Sequence, residues 1–175
     1  MSVTLSQLKD FAGSFERRER GNATSGNGEY FYCLKDNAPD WMRDACREAH
    51  GADLLPDDFR YGVIAGAAEF FLEQATEYLG EDAPVDAPVD FLDEIDQHEF
   101  CDGMVDIYTT NLTHWMGSHL SRVGYVNEAQ EEGLLRDDAT IETRMMAGQY
   151  MEIRDTVSLL ASFLMDVDVE SECEA

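Results

Sequence analysis

The sequence predicts an all-α fold, a single-domain bundle of about six helices. Three observations support this prediction. Apolar residues recur at intervals of three and four along most of the 175 residues. Hydrophobic residues make up 44% of the chain, which lets a domain of this length bury a core without disulfide bonds or metals. No stretch of alternating apolar and polar residues is long enough to predict a strand.

The first predicted helix covers residues 4–19, with Thr4 or Ser2 as its N-cap. Its apolar face is formed by Leu5, Leu8, Phe11, Ala12 and Phe15. The Gly, Asn and Ser residues at 21–29 predict a loop, and residues 30–34 could follow as a short extended piece.

The next two helices have clear start and stop signals. Asn37 and Pro39 favour a helix over about 39–50, which Gly51 ends. A longer helix is predicted to begin at Pro56, with acidic residues in its first turn, and to end before Gly80.

Residues 81–90 contain a tandem Asp-Ala-Pro-Val pair, and its two prolines predict an internal linker. The remaining helices are predicted over about 90–100, 104–121, 123–132 and 138–165. The inner face of the last one comprises Ile141, Met145, Tyr150, Ile153, Val157, Leu160 and Leu164. Residues 166–175 are predicted to form a frayed acidic tail.

Charge is the most informative feature of the sequence. The chain has 37 Asp and Glu residues against 12 Lys and Arg residues, for a net charge of −25. Residues 1–60 are nearly balanced at −3, whereas residues 61–121 carry 13 acids and no Lys or Arg. This composition excludes a conventional nucleic-acid binder and argues against binding to anionic membrane surfaces.

The base-free segment predicts a row of carboxylates on helix faces. The predicted contact residues are Glu69, Glu73, Glu77, Asp86, Asp90, Asp93, Glu94, Asp96, Glu99, Asp102 and Asp106. Most of them are three or four residues apart, which on a helix places neighbours about 6 Å apart. Such a row could imitate the phosphates of a DNA strand, which indicates a non-enzymatic DNA-mimic inhibitor of a basic host protein.

Adaptation to high salt is the main alternative explanation of the acidity. The chain has 2 Lys against 10 Arg, a composition that also suits a salt-loving or GC-rich host. Haloadaptation should spread acids over the whole surface, whereas the first 60 residues are nearly balanced. A general gain in solubility is a further explanation.

Two pairs of residues could supply a zinc site. Cys46 and His50 are four residues apart, and His98 and Cys101 are three apart, so each pair can share a helix face. This pattern leaves open a metal-stabilised structural or regulatory domain, although buried cysteines beside surface histidines explain it equally simply.

No motif indicates an enzyme. The sequence has no P-loop and no Gly-rich dinucleotide motif, and the spacing of His114 and His119 does not place them on one helix face. We expect a cytoplasmic protein, because the N-terminus lacks the features of a signal peptide and no apolar run is long enough to span a membrane. The sequence leaves open a homodimer.

Two stretches of the chain, residues 40–64 and the residues from Leu112 onward, carry a family resemblance. The matching residues are Trp41, Ala49, His50, Leu55, Pro56, Asp57, Tyr61, Trp115, Tyr125, Val126, Glu128, Ala129, Gly148, Gln149 and Glu152. On these residues the chain resembles a family of small acidic proteins carried by phages and plasmids, over about half its length. The resemblance implies a mobile-element context, in which a decoy for a host defence nuclease or restriction enzyme would be useful. The motifs of the known acidic antirestriction proteins are not found in the sequence.

Overall fold

The computed structural model describes residues 1–19, 30–50, 58–108, 126–127, 130–133 and 141–167. In these ranges the chain is mostly helical, as predicted, and also forms a small antiparallel sheet of two strands. In chain order the elements are α1 (Leu5–Ala12), β1 (Phe15–Glu19), β2 (Tyr30–Leu34), α2 (Asp40–His50), α3 (Asp58–Leu79), a 3-10 helix (Leu92–Glu94), α4 (His98–Tyr108) and α5 (Ile141–Met165). None of the helices in these ranges is both long enough and apolar enough to cross a membrane.

The chain divides into two compact units. Of the described residues, the first unit contains 1–19, 30–96 and 156–167. The second contains 97–108, 126–127, 130–133 and 141–155. Each unit is described separately below, and the single domain that the sequence suggests stays a prediction.

The predicted helix over 4–19 is wrong in its second half. Helix α1 begins at a capping box in which the Thr4 hydroxyl accepts from the Gln7 amide at 3.2 Å and the Gln7 side chain accepts from the Thr4 amide at 2.8 Å. It ends at Ala12, and β1 then pairs with β2, with Phe15 opposite Leu34. Phe15 still reaches the apolar face of α1, because its ring lies 5.2 Å from the Phe11 ring in an edge-to-face contact. The periodicity therefore predicted the contact of Phe15 with Phe11 correctly, but Phe15 lies in a strand and not in the predicted helix.

Helix α3 is the centre of the first unit, and α1, α2 and β2 all pack against it. Its small residues Ala65, Ala67, Ala68 and Ala75 are buried and allow close approach of the neighbouring elements. Phe71 is fully buried among them. The helix ends at Leu79 because Gly80 adopts φ 87°, a left-handed conformation that favours glycine. The predicted helices over 39–50 and 56–79 are thus confirmed in the described residues, while residues 51–57 lie outside them.

The predicted helix over 90–100 is also wrong. Just before it, the chain turns at residues 84–87 and bonds to the start of the chain: the Leu5 amide donates to the Ala87 carbonyl at 2.9 Å and the Val89 amide to the Val3 carbonyl at 2.9 Å. The chain then forms only the short 3-10 helix, since Ile95 has extended dihedral angles of φ −77° and ψ 131°. Helix α4 begins afterwards at His98. The acidic and apolar spacing of residues 90–97 suited a helix, but the backbone turns extended at Ile95 before one can form.

Within the second unit, Met151 of α5 is buried and packs against Val126, Ala147 and Tyr150. Arg154 pairs with Glu132 at 2.8 Å. Helix α5 confirms the prediction of a long last helix, and Ile153, Val157, Leu160 and Leu164 are buried as expected. The side chains of Ile141 and Met145 lie outside the described residues. Positions 109–125 also lie outside them, and these include parts of the predicted helices over 104–121 and 123–132. The same holds for positions 168–175, which make up most of the predicted tail.

Candidate acidic interaction surface

Helix α3 presents three of the predicted contact residues on one side. Glu69, Glu73 and Glu77 are all exposed, whereas Phe71 and Ala75 between them are buried. Because α3 is a regular helix over all three positions, successive carboxylates are displaced by about 6 Å along its axis. These three residues therefore have the exposure and helical spacing that were expected, and their role as partner contacts stays a prediction.

The predicted contact residues that follow α3 in the first unit are exposed, but they do not continue the helical row. Asp86 and Asp90 flank the stretch in which Ala87 and Val89 are buried. Asp86 lies in a turn and Asp90 follows the residue that bonds to Val3, so these two carboxylates do not have the helical spacing that was predicted. Asp93 and Glu94 lie in the 3-10 helix, and Asp96 follows it. The acids of residues 90–96 therefore do not form the continuous helical row that was predicted, because they lie before, within and after the short 3-10 helix.

The last three predicted contact residues belong to α4, in the second unit. Glu99 and Asp102 are exposed and lie three residues apart on this helix. The side chain of Asp106 lies outside the described residues. Helix α4 thus has an acidic face of its own, which belongs to the second unit.

The first unit also exposes two acids that were not predicted as contacts. Glu81 and Asp82 lie in the turn directly after Gly80 and are exposed. Sequence analysis did not single them out, although their position next to a helix end was an available signal. We use the term acidic surface for the nine exposed carboxylates of the first unit that no base in the described residues neutralises: Glu69, Glu73, Glu77, Glu81, Asp82, Asp86, Asp90, Asp93 and Glu94.

Three arginines in the described part of the chain pair with acids outside the acidic surface. Arg18 bonds Asp36 at 3.0 Å and also Glu16, and Arg47 bonds Asp44 at 3.1 Å, both inside the nearly balanced first 60 residues. Arg154 bonds Glu132. Over the described ranges, no carboxylate of the acidic surface takes part in an ion pair or hydrogen bond of its side chain. The surface is therefore free to attract a cationic partner.

One aromatic side chain lies within this acidic surface. Tyr78, in the last turn of α3, is 72% exposed. Its ring centroid is 4.4 Å from that of Phe91, which is buried. The contact holds the end of α3 beside the residues that precede the 3-10 helix, so that Glu77 and Asp90 each adjoin one member of the ring pair. Sequence analysis did not single out this pair.

The predicted zinc ligands have different environments. Burial raises the pKa of the Cys46 thiol to about 12 and that of the Cys101 thiol to about 11, so both thiols are protonated at neutral pH. His98 is exposed, and its Nδ1 lies 2.8 Å from the Tyr150 hydroxyl oxygen. The side chain of His50 lies outside the described residues. Among those that are described, no three His, Cys, Asp or Glu residues form a group that could hold a metal ion.

Comparison of the chain with protein-family models, with curated proteins and with solved structures finds no match. The resemblance to small acidic phage and plasmid proteins therefore stays a prediction. The charge and exposure of the acidic surface are the observations that bear on function.

Proposed function

We propose that this protein is a non-enzymatic, cytoplasmic DNA-mimic inhibitor, carried by a phage or plasmid, that occupies the DNA-binding groove of a basic host protein. The observation that carries this proposal is the acidic surface itself: nine exposed carboxylates on one compact unit, none of them neutralised by a described base. The proposal does not depend on one continuous helical row.

The spacing on α3 supports the imitation of a phosphate backbone. Glu69, Glu73 and Glu77 extend over about 12 Å of helix axis with steps of about 6 Å. Adjacent phosphates of one DNA strand are separated by a distance of the same order. The acids at Asp86, Asp90 and Asp93 add charge at a different spacing, which a basic groove with mobile side chains can accommodate.

The energetic cost of this arrangement also favours a binding role. Like charges four residues apart on a helix destabilise it by about 0.2–0.5 kcal/mol per pair. Helix α3 contains two such pairs, Glu69 with Glu73 and Glu73 with Glu77. Elsewhere the same chain places arginines beside its acids, as at Arg18 with Asp36 and Arg47 with Asp44. A sequence maintained only for stability could have done the same on α3.

The proposal can be tested by displacement of DNA. A fluorescent duplex is bound to each of a panel of basic proteins that bind DNA without sequence preference, and the acidic protein is titrated in at low and high salt. We expect it to displace the duplex from at least one of them at low salt and much less at high salt, because screening weakens contacts between exposed charges.

Two variants of equal net charge locate the contact. The test variant Glu69→Gln/Glu73→Gln/Glu77→Gln removes three charges from α3, and the control Asp10→Asn/Glu48→Gln/Glu131→Gln removes three exposed acids outside the acidic surface. The test variant should displace DNA markedly less well than the control. Equal displacement by the two variants, or displacement that does not depend on salt, contradicts the proposal.

Haloadaptation predicts a different outcome from the same protein. It expects no displacement and unfolding in dilute buffer, where the unscreened carboxylates repel one another. A cooperative thermal transition at low salt, combined with displacement of DNA, separates the two explanations.

A further inference from the structure

We infer that Tyr78, which lies in the chain between Glu77 and Glu81 of the acidic surface, is an arginine-binding position. The exposed face of its ring receives an arginine side chain of the basic partner, and the flanking carboxylates accept hydrogen bonds from the guanidinium. This inference rests on the proposed function and specifies it further: the partner is a basic protein that presents arginine at the contact.

The position of the ring is the first step of the argument. Tyr78 is 72% exposed, although large aromatic side chains in a stable domain are usually covered. Its ring packs against buried Phe91 with centroids 4.4 Å apart and planes inclined by 40°. Phe91 therefore supports one side of the ring and leaves the remainder to solvent. A supported tyrosine loses little conformational freedom on binding, which is typical of residues that anchor interfaces.

The charges around the ring are the second step. Glu77 precedes Tyr78, Glu81 and Asp82 follow it, and Asp90 precedes Phe91. All four are exposed and none is in an ion pair with a described residue. A neutral apolar partner would leave these carboxylates desolvated, and a nucleic acid or a second copy of this chain, at −25, would be repelled. Charge complementarity therefore selects a cationic partner.

The combination of ring and carboxylates distinguishes arginine from lysine. The face of an aromatic ring attracts cations. The planar guanidinium can stack on the ring while its N–H groups donate to carboxylates at the edge, because stacking leaves these donors free. The lysine ammonium is compact and strongly hydrated, so it gains less from the ring. A surface of carboxylates alone would not make this distinction.

Binding of two peptide probes tests the inference. Oligoarginine and oligolysine of equal length are titrated into the full-length protein at low salt, and the variants are Tyr78→Leu and Tyr78→Phe. Leucine retains apolar bulk against Phe91 without a ring, and phenylalanine retains the ring. We expect the preference for oligoarginine over oligolysine to fall about threefold to fivefold in Tyr78→Leu and to be kept in Tyr78→Phe.

Tyr32→Leu provides a matched control, since Tyr32 is also exposed but lies on β2, which contains no residue of the acidic surface. It should leave the preference unchanged. Equal affinities of the wild type for the two peptides, or a preference that Tyr78→Leu does not alter, overturn the inference and leave the proposed function standing. Failure of both peptides to bind at low salt overturns the proposed function as well. Thermal unfolding of each variant verifies that the fold is kept.

Discussion

Replacing the central glutamate of α3 tests whether its carboxylates repel one another without a neutralising partner. In the wild type, Glu73 has an acid four residues away on each side, Glu69 and Glu77. The variant Glu73→Lys turns both repulsive pairs into attractive ones. Each repulsion removed and each attraction gained contributes about 0.2–0.5 kcal/mol. The lower part of the summed range applies, because in the pair with Glu77 the lysine precedes the glutamate, which is the weaker orientation.

We therefore expect Glu73→Lys to raise the free energy of unfolding by about 1 kcal/mol at low salt. For a chain of this size that corresponds to a rise of about 2–4 °C in Tm. The variant Glu73→Gln, which removes the repulsion without adding attraction, should give about half of this gain. Urea denaturation followed by circular dichroism, at low salt and at about 1 M NaCl, measures both quantities; at the higher concentration the Debye length is about 3 Å and the gain should largely disappear.

The control is Asp82→Lys, which makes the same change in net charge in the turn after the helix. It should alter stability much less, because Asp82 lies outside α3 and the α3 residue four positions before it, Tyr78, is not acidic. The reasoning is refuted if Glu73→Lys destabilises the protein at low salt, or if its gain is the same at both salt concentrations. The first result would mean that the α3 carboxylates already interact favourably, and the second that the gain does not come from their charges. In the displacement experiment the same variant should be the weaker inhibitor, so that stability and function change in opposite directions.

Four further outcomes follow from the described contacts. Phe71→Ala removes a fully buried ring from the packing around α3 and should lower the free energy of unfolding by about 3–5 kcal/mol in urea, whereas Leu159→Ala, at an exposed position, should have a much smaller effect. Thr4→Ala breaks the capping box of α1 and should cost about 1 kcal/mol in the same assay, and Thr4→Ser, which keeps the hydroxyl, should restore most of it. Arg154 lowers the pKa of Glu132, so their pair stabilises the fold above the unfolded-state pKa of Glu132, and this contribution is lost as the pH falls through the folded-state pKa. The variant Glu132→Gln should therefore lower Tm at neutral pH and leave it unchanged in strong acid. A Tm loss of equal size at both pH values would contradict the assignment. Because the Cys46 thiol has a pKa of about 12, less than roughly one molecule in a thousand carries the thiolate at pH 8. Mass spectrometry after brief treatment with iodoacetamide should therefore find Cys46 unmodified in the native protein and modified after unfolding. Rapid modification of the native protein would refute the burial of this thiol.

The sequence predicted the long helices well and the elements around them poorly. For α2 and α3 the apolar period agreed with the flanking proline and glycine residues, and for α5 the apolar period alone predicted a long helix in which four of the seven predicted inner residues are buried. The first helix was extended too far because Phe15 continued the apolar period of Leu8 and Phe11. A helix and a strand can place a phenylalanine in the same contact, and periodicity over a single residue does not separate them.

The candidate surface shows the same division. The exposure of Glu69, Glu73 and Glu77 followed from their spacing, because a helix that packs on one side must expose the other. The arrangement of Asp86 and Asp90 did not follow from it, because the segment between them is held by backbone bonds to residues 3–6, about 80 residues away in the sequence.

By itself, the sequence determined that this protein is helical, strongly acidic and free of Lys and Arg over residues 61–121, because composition and local periodicity are properties of the chain alone. Only the tertiary structure decided that Arg18, Arg47 and Arg154 bond acids outside the acidic surface, that residues 85–89 bond to the start of the chain, and that the Tyr78 ring packs against Phe91. Each of these depends on which distant segment supplies a hydrogen bond, a charge or a ring, and that choice is made by packing rather than by spacing along the chain.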